Sequence, residues 1–242
     1  MKSLAHKALV TGGAVRLGRA IALALGRAGC DVAVHHRHST RAAEEVTAEI
    51  AALGRRSVAL AADLSDARAC APLVEEARRA LGGLDVLVNN AAIFLPGDLA
   101  STSLADWDAQ LALNLRAPFL LAQAFAGGLG PEERGAIVNV SDARARRVGS
   151  GHLAYRVTKH ALDHLTELLA LELAPRVRVN AVAPGAMLAP GGDETALARR
   201  VAAAIPLRRA GGAEPVAEAV LYLLRAEFTT GVVLPVDGGE YL

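Results

Sequence analysis

The chain has 242 residues, 52% of them hydrophobic and 21% charged, and its 26 Lys and Arg residues nearly balance 25 Asp and Glu residues, leaving a net charge of +1. This length and apolar content predict one globular domain with a sizeable core and exclude an intrinsically disordered chain. The near-zero net charge provides no general attraction for nucleic acid or for an anionic membrane surface, so we expect a small-molecule substrate and neither of those partners.

Short β-branched runs alternate with Ala- and Leu-rich helical patterns along the chain, which is typical of repeated βαβ units. Strands are predicted, in chain order, at residues 8–11, 32–35, 57–61, 86–89, 136–140, 177–182 and 232–236. Helices are predicted at residues 17–28, 40–53, 66–81, 104–127, 152–173, 195–204 and 215–224. Because each strand is an uninterrupted apolar run, we expect helices to cover both faces of a parallel sheet.

These patterns predict an α/β fold in which residues 1–242 form a single Rossmann-like domain around a doubly wound parallel seven-stranded sheet. In such folds ligands bind beyond the carboxyl ends of the strands, near the switch in strand order. The segment from Pro184 to Gly192 contains three glycines and has no periodicity. We therefore expect residues 184–212 to form a substrate loop or lid.

Several features predict a cytoplasmic protein. Cys30 lies at a predicted helix-to-strand junction and Cys70 within a predicted helix, which is not typical of a disulfide framework or a metal site. The longest uncharged apolar stretch, residues 117–130, is shorter than the roughly 20 residues that a membrane-spanning helix needs. The first apolar run soon reaches Thr11-Gly12-Gly13, which indicates a strand and a turn rather than a signal sequence.

A glycine-rich turn follows the first predicted strand, with Gly12 and Gly13 after the strand and Gly18 inside the next helix. A strand, a glycine turn and a helix in that order favour a dinucleotide site, because the N–H groups of the helix can receive a diphosphate. The alternative is an ordinary βα loop.

The end of the second strand predicts which dinucleotide binds. An NAD enzyme carries a carboxylate there for the ribose 2′-hydroxyl, whereas this chain has Arg37 and Ser39, which suit a 2′-phosphate. We therefore predict NADPH over NADH. The neighbouring histidines match no Cys, Asp or Glu cluster, so we predict no metal site. Asp63, after the third strand, either accepts a hydrogen bond from the adenine amino group or caps the following helix.

Tyr155 and Lys159 are four residues apart in a predicted helix, so both side chains point to one side. The chain has only three lysines and three tyrosines, which makes this spacing informative. A phenol has a reference pKa of about 10, and a nearby ammonium group favours the phenolate. We therefore expect Lys159 to lower the pKa of Tyr155 and also to bind the cofactor ribose.

Motifs along almost the whole chain resemble those of the short-chain dehydrogenase/reductase family. They are Thr11-Gly12 through Gly18, Asn89-Asn90-Ala91, Asn114, Tyr155 with Lys159, Pro184-Gly185 and Val236-Asp237-Gly238-Gly239. The resemblance implies Tyr155 as proton donor, Lys159 as its activator, and Asn114 as the anchor of a water relay. It also implies a homotetramer built on the helices that bear Asn114 and Tyr155.

The same resemblance implies a set of cofactor contacts. They are Gly12, Arg16, Leu17, Gly18, His36, Arg37, Ser39, Asp63, Leu64, Asn90, Ala91, Tyr155, Lys159, Pro184 and Gly185.

Two departures from the common family pattern are similar to the pteridine reductase branch. Arg16 stands where the turn usually has its middle glycine, and Asp142 stands where a catalytic serine usually precedes the tyrosine by 13 residues. Ser141 is one residue away and should face the opposite side. In that branch the equivalent of Phe94 stacks on the pterin ring. The resemblance therefore implies that Arg16, Phe94, Asp142 and Tyr155 bind the substrate, and that Asp142 and Tyr155 relay a proton to a ring nitrogen.

An ionised Asp142 suits a pterin because it can only accept hydrogen bonds, and it would repel a developing oxyanion. The alternatives are a carbonyl reductase, such as a 3-oxoacyl-[acyl-carrier-protein] reductase, and a dinucleotide-binding regulator without turnover. Arg144, Arg146 and Arg147 follow Asp142 at the expected pocket mouth. They are either solvated or positioned to bind an anionic tail, such as a folate glutamate, or the acidic surface of an acyl carrier protein.

Overall fold

The computed structural model describes residues 6–146 and 148–242. In this part of the chain a sheet of seven parallel strands has the order β3-β2-β1-β4-β5-β6-β7. The strands are β1 Lys7–Val10, β2 Asp31–His36, β3 Ser57–Ala61, β4 Val86–Asn89, β5 Gly135–Val140, β6 Val177–Pro184 and β7 Val233–Val236. The order reverses between β1 and β4, which is the switch point where ligands bind in such sheets.

Helices connect the strands and cover both faces of the sheet. They are α1 Arg16–Arg27, α2 Thr40–Ala52, α3 Ala67–Leu81, α4 Leu104–Leu111, α5 Ala117–Gly127, α6 Leu153–Leu173, α7 Glu194–Ala204 and α8 Glu214–Arg225. Among the described residues, no helix combines the length and the apolar character needed to span a membrane. The doubly wound single-domain fold expected from the sequence is confirmed.

Alternate residues of each strand pack into opposite apolar layers, because successive side chains of a strand point to opposite faces. Ala8 and Val10 of β1 belong to the layer formed with α1, α2 and α8. Leu9 belongs to the layer formed with α3 and α5. The central strands are therefore apolar on both faces, which explains their uninterrupted apolar runs.

The helix predicted over residues 104–127 is interrupted by a π turn at Ala112–Arg116. The turn lies between α4 and α5 and contains Asn114, which is 1% exposed. π turns inside helices are frequent at functional sites because the extra residue redirects a side chain. Helical periodicity alone did not reveal this interruption.

Candidate active site

The turn between β1 and α1 is packed too tightly for side chains at two of its glycines. Gly12 has a φ of +61°, and a Cβ added to Gly18 would lie 2.0 Å from the Gly12 carbonyl oxygen. Asn90 closes the turn, because its Nδ2 donates to the carbonyl oxygens of Thr11 at 2.9 Å and Gly12 at 3.1 Å. The first N–H groups of α1, which have no acceptor within the helix, lie beside this turn.

Arg16 adopts a backbone conformation that usually belongs to glycine. Its φ is +53°, in the left-handed region, which costs a residue with a side chain about 1 kcal/mol. Its Nη2 donates a 3.1 Å hydrogen bond to the Ala189 carbonyl oxygen, in the predicted lid segment. Arg16 therefore links the glycine turn to residues 184–212.

A cavity of about 380 Å³ opens beside this turn. Its lining includes residues predicted to contact the cofactor, namely Gly12, Arg16, Leu17, Gly18, Arg37, Asp63, Leu64, Asn90 and Ala91. Val15, His35, Ala62, Ala92, Ile93 and Leu113 complete the lining. The other predicted contacts lie outside this lining: His36, Ser39, Tyr155, Lys159, Pro184 and Gly185.

His35, which the sequence analysis did not assign to the cofactor, supports the glycine turn. Its Nδ1 accepts a 3.0 Å hydrogen bond from the Gly12 N–H, so its Nε2 carries the proton donated to the Ala62 carbonyl oxygen at 3.1 Å. Burial lowers the pKa of His35 to about 4, so the ring is neutral at physiological pH. His36 is also buried, and its Nδ1 has no hydrogen-bond partner in the structure.

The rim of the cavity carries an ion pair that joins two strand ends. Arg37, just after β2, lies 2.8 Å from Asp63, just after β3. Hydrogen bonds from Ser65 lower the pKa of Asp63, and the charge of Arg37 lowers it further. The interpretation of Asp63 as a helix cap is wrong, because Asp66 accepts the capping hydrogen bond from the Arg68 N–H of α3. Ser39 lies at the start of α2, and its hydroxyl makes no capping hydrogen bond.

Asp142 and Tyr155 are directly hydrogen-bonded. The Tyr155 hydroxyl donates to Asp142 Oδ2 at 3.0 Å, and both residues are 8% exposed. The Ser141 hydroxyl lies instead near the Lys159 carbonyl oxygen, at 3.5 Å. The two neighbouring side chains therefore separate as strand alternation requires.

The electrostatics of Tyr155 differ from the expectation. Burial and the adjacent Asp142 raise the pKa of Tyr155 well above its usual value. Lys159 Nζ lies 5.8 Å from the centre of the tyrosine ring and donates to the Val140 carbonyl oxygen at 2.7 Å. Burial lowers the pKa of Lys159 to about 8. Burial and Asp142 therefore outweigh any lowering of the Tyr155 pKa by Lys159 in this structure, and the hydroxyl stays protonated at neutral pH.

Asn114 joins the loop after β4 to α6. Its Oδ1 accepts from the Ile93 N–H, and its Nδ2 donates to the Ile93 carbonyl oxygen, each at 2.9 Å. The same Nδ2 lies 3.3 Å from the Thr158 hydroxyl, one residue before Lys159. These bonds fix the relative positions of the π turn and α6, which bears Tyr155 and Lys159.

Arg144 and His152 both contact the ring of Phe94. The imidazole of His152 is stacked on it with 3.9 Å between ring centres and an angle of 17°, and Arg144 Cζ lies 4.7 Å from the ring centre. Tyr155 meets the same ring edge-on at 4.6 Å. The phenyl ring therefore lies within the cluster that contains Asp142 and Tyr155.

Comparison with known proteins identifies the family to which this arrangement belongs. A family model described as enoyl-(acyl carrier protein) reductase matches residues 13–240. The solved structure of a short-chain dehydrogenase from Burkholderia cenocepacia, in complex with NADP, is 37% identical to the chain, and each chain covers 100% of the other with a TM-score of 0.94. The chain belongs to the short-chain dehydrogenase/reductase family.

Other short-chain dehydrogenases/reductases with different names are also similar to it. An uncharacterized oxidoreductase of Mycobacterium tuberculosis is 40% identical over 96% of this chain and 90% of that protein. A 3-oxoacyl-[acyl-carrier-protein] reductase of Staphylococcus aureus is 35% identical over 99% of both chains. The structure of FolM alternative dihydrofolate reductase 1 from Brucella canis, complexed with NADP, is 34% identical, with 97% and 93% coverage and a TM-score of 0.90.

The short-chain dehydrogenase/reductase motif at Pro184-Gly185 lies at the end of β6, against the chain that follows β7. The Gly185 N–H donates to the Val236 carbonyl oxygen at 3.0 Å, and a Cβ on Gly185 would lie 2.6 Å from the Asp237 Cβ. Glu240 forms a paired ion contact with Arg200 of α7, at 2.5 and 2.6 Å. The segment after Gly185 is thus anchored to the end of the chain.

Some contacts of this short-chain dehydrogenase/reductase site could not be predicted from motifs. His35, His152 and Arg200 carry no local pattern that distinguishes them from ordinary polar residues. Arg144 was expected only at the pocket mouth, whereas it contacts Asp142 itself. Arg147 and the side chain of Arg146 lie outside the described residues. Among the described residues, no group of three or more His, Cys, Asp and Glu side chains is placed to hold a metal ion.

Proposed function

We propose that this short-chain dehydrogenase/reductase is an NADPH-dependent reductase of pterins or dihydrofolate-like rings. The observation that carries the proposal is the buried Asp142 carboxylate, 3.0 Å from the Tyr155 hydroxyl. A carboxylate accepts hydrogen bonds from ring N–H and amino groups, which a pterin offers. The same carboxylate would repel a ketone oxygen that gains negative charge.

The residues of the glycine turn fit a dinucleotide. Gly18 lets the start of α1 pack directly against Gly12, so the first N–H groups of α1 lie beside the turn that would receive a diphosphate. Arg37 and Ser39 offer a cation and a hydroxyl to a 2′-phosphate, which supports NADPH over NADH. Bound NADP in the Burkholderia and Brucella relatives supports the same choice.

NADPH, when bound, would supply the hydride, and three side chains of this protein have the remaining roles. The Tyr155 hydroxyl, kept protonated by its buried position beside Asp142, donates the proton to the ring nitrogen next to the carbon that receives the hydride. Asp142 orients the ring by accepting its N–H groups, and the Lys159 ammonium stabilises the negative charge left on Tyr155.

A carbonyl reductase is the second candidate, supported by the similarity to the Staphylococcus reductase. In that case Tyr155 alone would hold the substrate oxygen. The two candidates predict opposite effects of Asp142→Ser, because serine restores a neutral donor for an oxyanion and removes the acceptor for ring N–H groups.

The test measures NADPH oxidation by the purified protein with dihydrobiopterin, dihydrofolate and acetoacetyl-CoA. We expect pterin or folate turnover, a loss of at least about 100-fold in Asp142→Ser, and loss of turnover with retained NADPH binding in Tyr155→Phe. Preferential acetoacetyl-CoA turnover that rises in Asp142→Ser would establish the carbonyl reductase instead. NADPH binding without turnover of any of these substrates would favour the regulator.

We also propose a cytoplasmic homotetramer built on the helices around Asn114 and Tyr155. On α6, Val157, Leu168 and Leu171 are 43%, 48% and 77% exposed, and Phe119 of α5 is 43% exposed. Apolar side chains exposed at helical spacing favour contact between subunits. No disulfide joins the buried Cys30 and Cys70, which fits a reducing compartment. Light scattering should give four times the 25.0 kDa chain mass.

A further inference from the structure

The side chain of Arg144 lies on the two groups that the proposed substrate would need. Its Nε lies 3.3 Å from Asp142 Oδ1, and its Nη2 lies 3.3 Å from Asp142 Oδ2, so the guanidinium and the carboxylate form a bidentate pair. Its Cζ also lies 4.7 Å from the centre of the Phe94 ring. The planar guanidinium of Arg144 therefore pairs with the Asp142 carboxylate and also lies over the Phe94 ring.

An aminopyrimidine edge whose ring nitrogen beside the 2-amino group carries a proton has the same recognition chemistry as a guanidinium. Both are planar, both present two parallel N–H donors on nitrogens bonded to one carbon, and both can stack on an aromatic face. The fused ring of a pterin contains this edge. The contacts of Arg144 therefore reproduce, within the chain, the contacts expected between this site and such a ring.

We propose that Arg144 is a built-in competitor of the substrate, and that a ring with an aminopyrimidine edge binds by displacing the guanidinium from Asp142 and Phe94. This inference rests on the proposed function. Arg144 thereby determines specificity, because only a ligand that replaces both the paired hydrogen bonds and the stacking compensates for its displacement.

The surroundings of Arg144 allow its side chain to move while its backbone stays in place. The Arg144 N–H donates to Asp142 Oδ1 at 2.7 Å, and its carbonyl oxygen accepts from Arg156 Nη1 at 3.0 Å. The side chain is 27% exposed and thus reaches the protein surface, where solvent is available to the displaced guanidinium. Because the N–H bond and the Tyr155 bond to Asp142 do not involve the guanidinium, Asp142 keeps both of them in an Arg144→Ala variant.

The test compares the wild-type protein with Arg144→Ala, and uses Arg134→Ala as the control because Arg134 bonds to the Pro175 carbonyl oxygen near the start of the strands. In Arg144→Ala we expect the Kd of 2,4-diaminopyrimidine, measured by calorimetry at a pH where its ring nitrogen N1 is protonated, to fall about tenfold, which is the effect of removing a competitor worth about 1.4 kcal/mol. The KM of dihydrobiopterin should fall in parallel with kcat changed less than about twofold. The control should match the wild type.

A second measurement tests whether a free guanidinium ion can occupy the position that the Arg144 side chain leaves empty in Arg144→Ala. Methylguanidinium at millimolar concentration should bind Arg144→Ala and compete with 2,4-diaminopyrimidine there, while the wild type should show no such competition. Unchanged or weaker diaminopyrimidine binding in Arg144→Ala would overturn the proposal, since the guanidinium would then be inert or would support the ligand. Failure of the proposed function gives a different result from failure of this inference. If the proposed function is wrong, neither the wild type nor Arg144→Ala turns over a pterin. The diaminopyrimidine and methylguanidinium binding measurements still test the role of Arg144 in that case.

Discussion

The buried imidazole of His35 makes the stability of this fold depend on pH. Burial lowers its pKa from 6.5 to about 4, because the charged imidazolium loses its hydration inside the protein. A proton on Nδ1 would in addition face the Gly12 N–H that now donates to that atom. The unfolded chain binds a proton as the pH falls through 6.5, whereas the folded chain resists protonation down to about 4. The contribution of neutral His35 is therefore complete above pH 6.5 and is lost as the pH falls towards 4.

The size of this effect follows from the two pKa values. A difference of about 2.5 units corresponds to about 3 kcal/mol when both states are fully protonated, and about 2 kcal/mol of it is lost between pH 7 and pH 5. His35→Asn provides the comparison, because an amide can accept the Gly12 N–H but does not titrate. All other titratable groups are common to the two proteins, so their effects cancel when the two free energies of unfolding are subtracted.

The assay is urea unfolding followed by circular dichroism at pH 7, 6 and 5, at one fixed protein concentration. His35→Asn should be less stable than the wild type at pH 7, because its side chain cannot also reach the Ala62 carbonyl oxygen. The difference in the free energy of unfolding should then shift by about 2 kcal/mol in favour of the variant at pH 5. A difference that stays constant across this range would refute the assignment of a buried neutral imidazole.

Three further predictions concern the glycine turn, the cavity rim and α8. Gly18→Ala should weaken NADPH binding at least about tenfold in a fluorescence titration, because the added Cβ would overlap the Gly12 carbonyl oxygen; unchanged affinity would contradict the tight turn. Arg37→Gln should weaken NADPH binding about tenfold or more and leave NADH binding within about twofold, whereas equal losses would argue against a 2′-phosphate contact. Arg178 donates to four backbone carbonyl oxygens around the end of α8, so Arg178→Ala should cost about 3 kcal/mol and lower Tm by about 6–12 °C in a thermal melt, while an unchanged Tm would show those bonds to be dispensable.

The fold could be predicted because its elements are encoded locally. The apolar runs at β1 and β4, and the glycine turn between β1 and α1, each depend on residues close together in the chain. The π turn around Asn114 could not be found this way, because it depends on contacts with Ile93 and with α6. The cap of α3 is a local contact, but Asp63 and Asp66 are both suitable by residue type, and only the backbone geometry decides that Asp66 accepts from the Arg68 N–H.

Sequence motifs identified many residues of the candidate site, but they did not reveal most of the contacts between those residues. The Tyr155 and Lys159 spacing identified one side of the site, but the pKa of Tyr155 depends on burial and on Asp142, which a spacing does not reveal. Arg144 has the sequence environment of an ordinary surface arginine. Its contact with Asp142 arises in the turn at Ala143–Arg146, directly after Asp142, where the Arg144 N–H also donates to Asp142 Oδ1.

The hydrogen bond from Arg16 to the Ala189 carbonyl oxygen has a thermodynamic consequence for ligand binding. It joins the turn that would receive the cofactor to the segment proposed to cover the substrate, so the two binding steps share one interaction. If cofactor binding alters this hydrogen bond and thereby changes the affinity for the substrate, substrate binding changes the affinity for the cofactor by the same factor. For one charge-assisted bond of about 1.5 kcal/mol, that factor is about tenfold. A single arginine thus couples the affinities of the two ligands, and the coupling has the same size whichever ligand binds first.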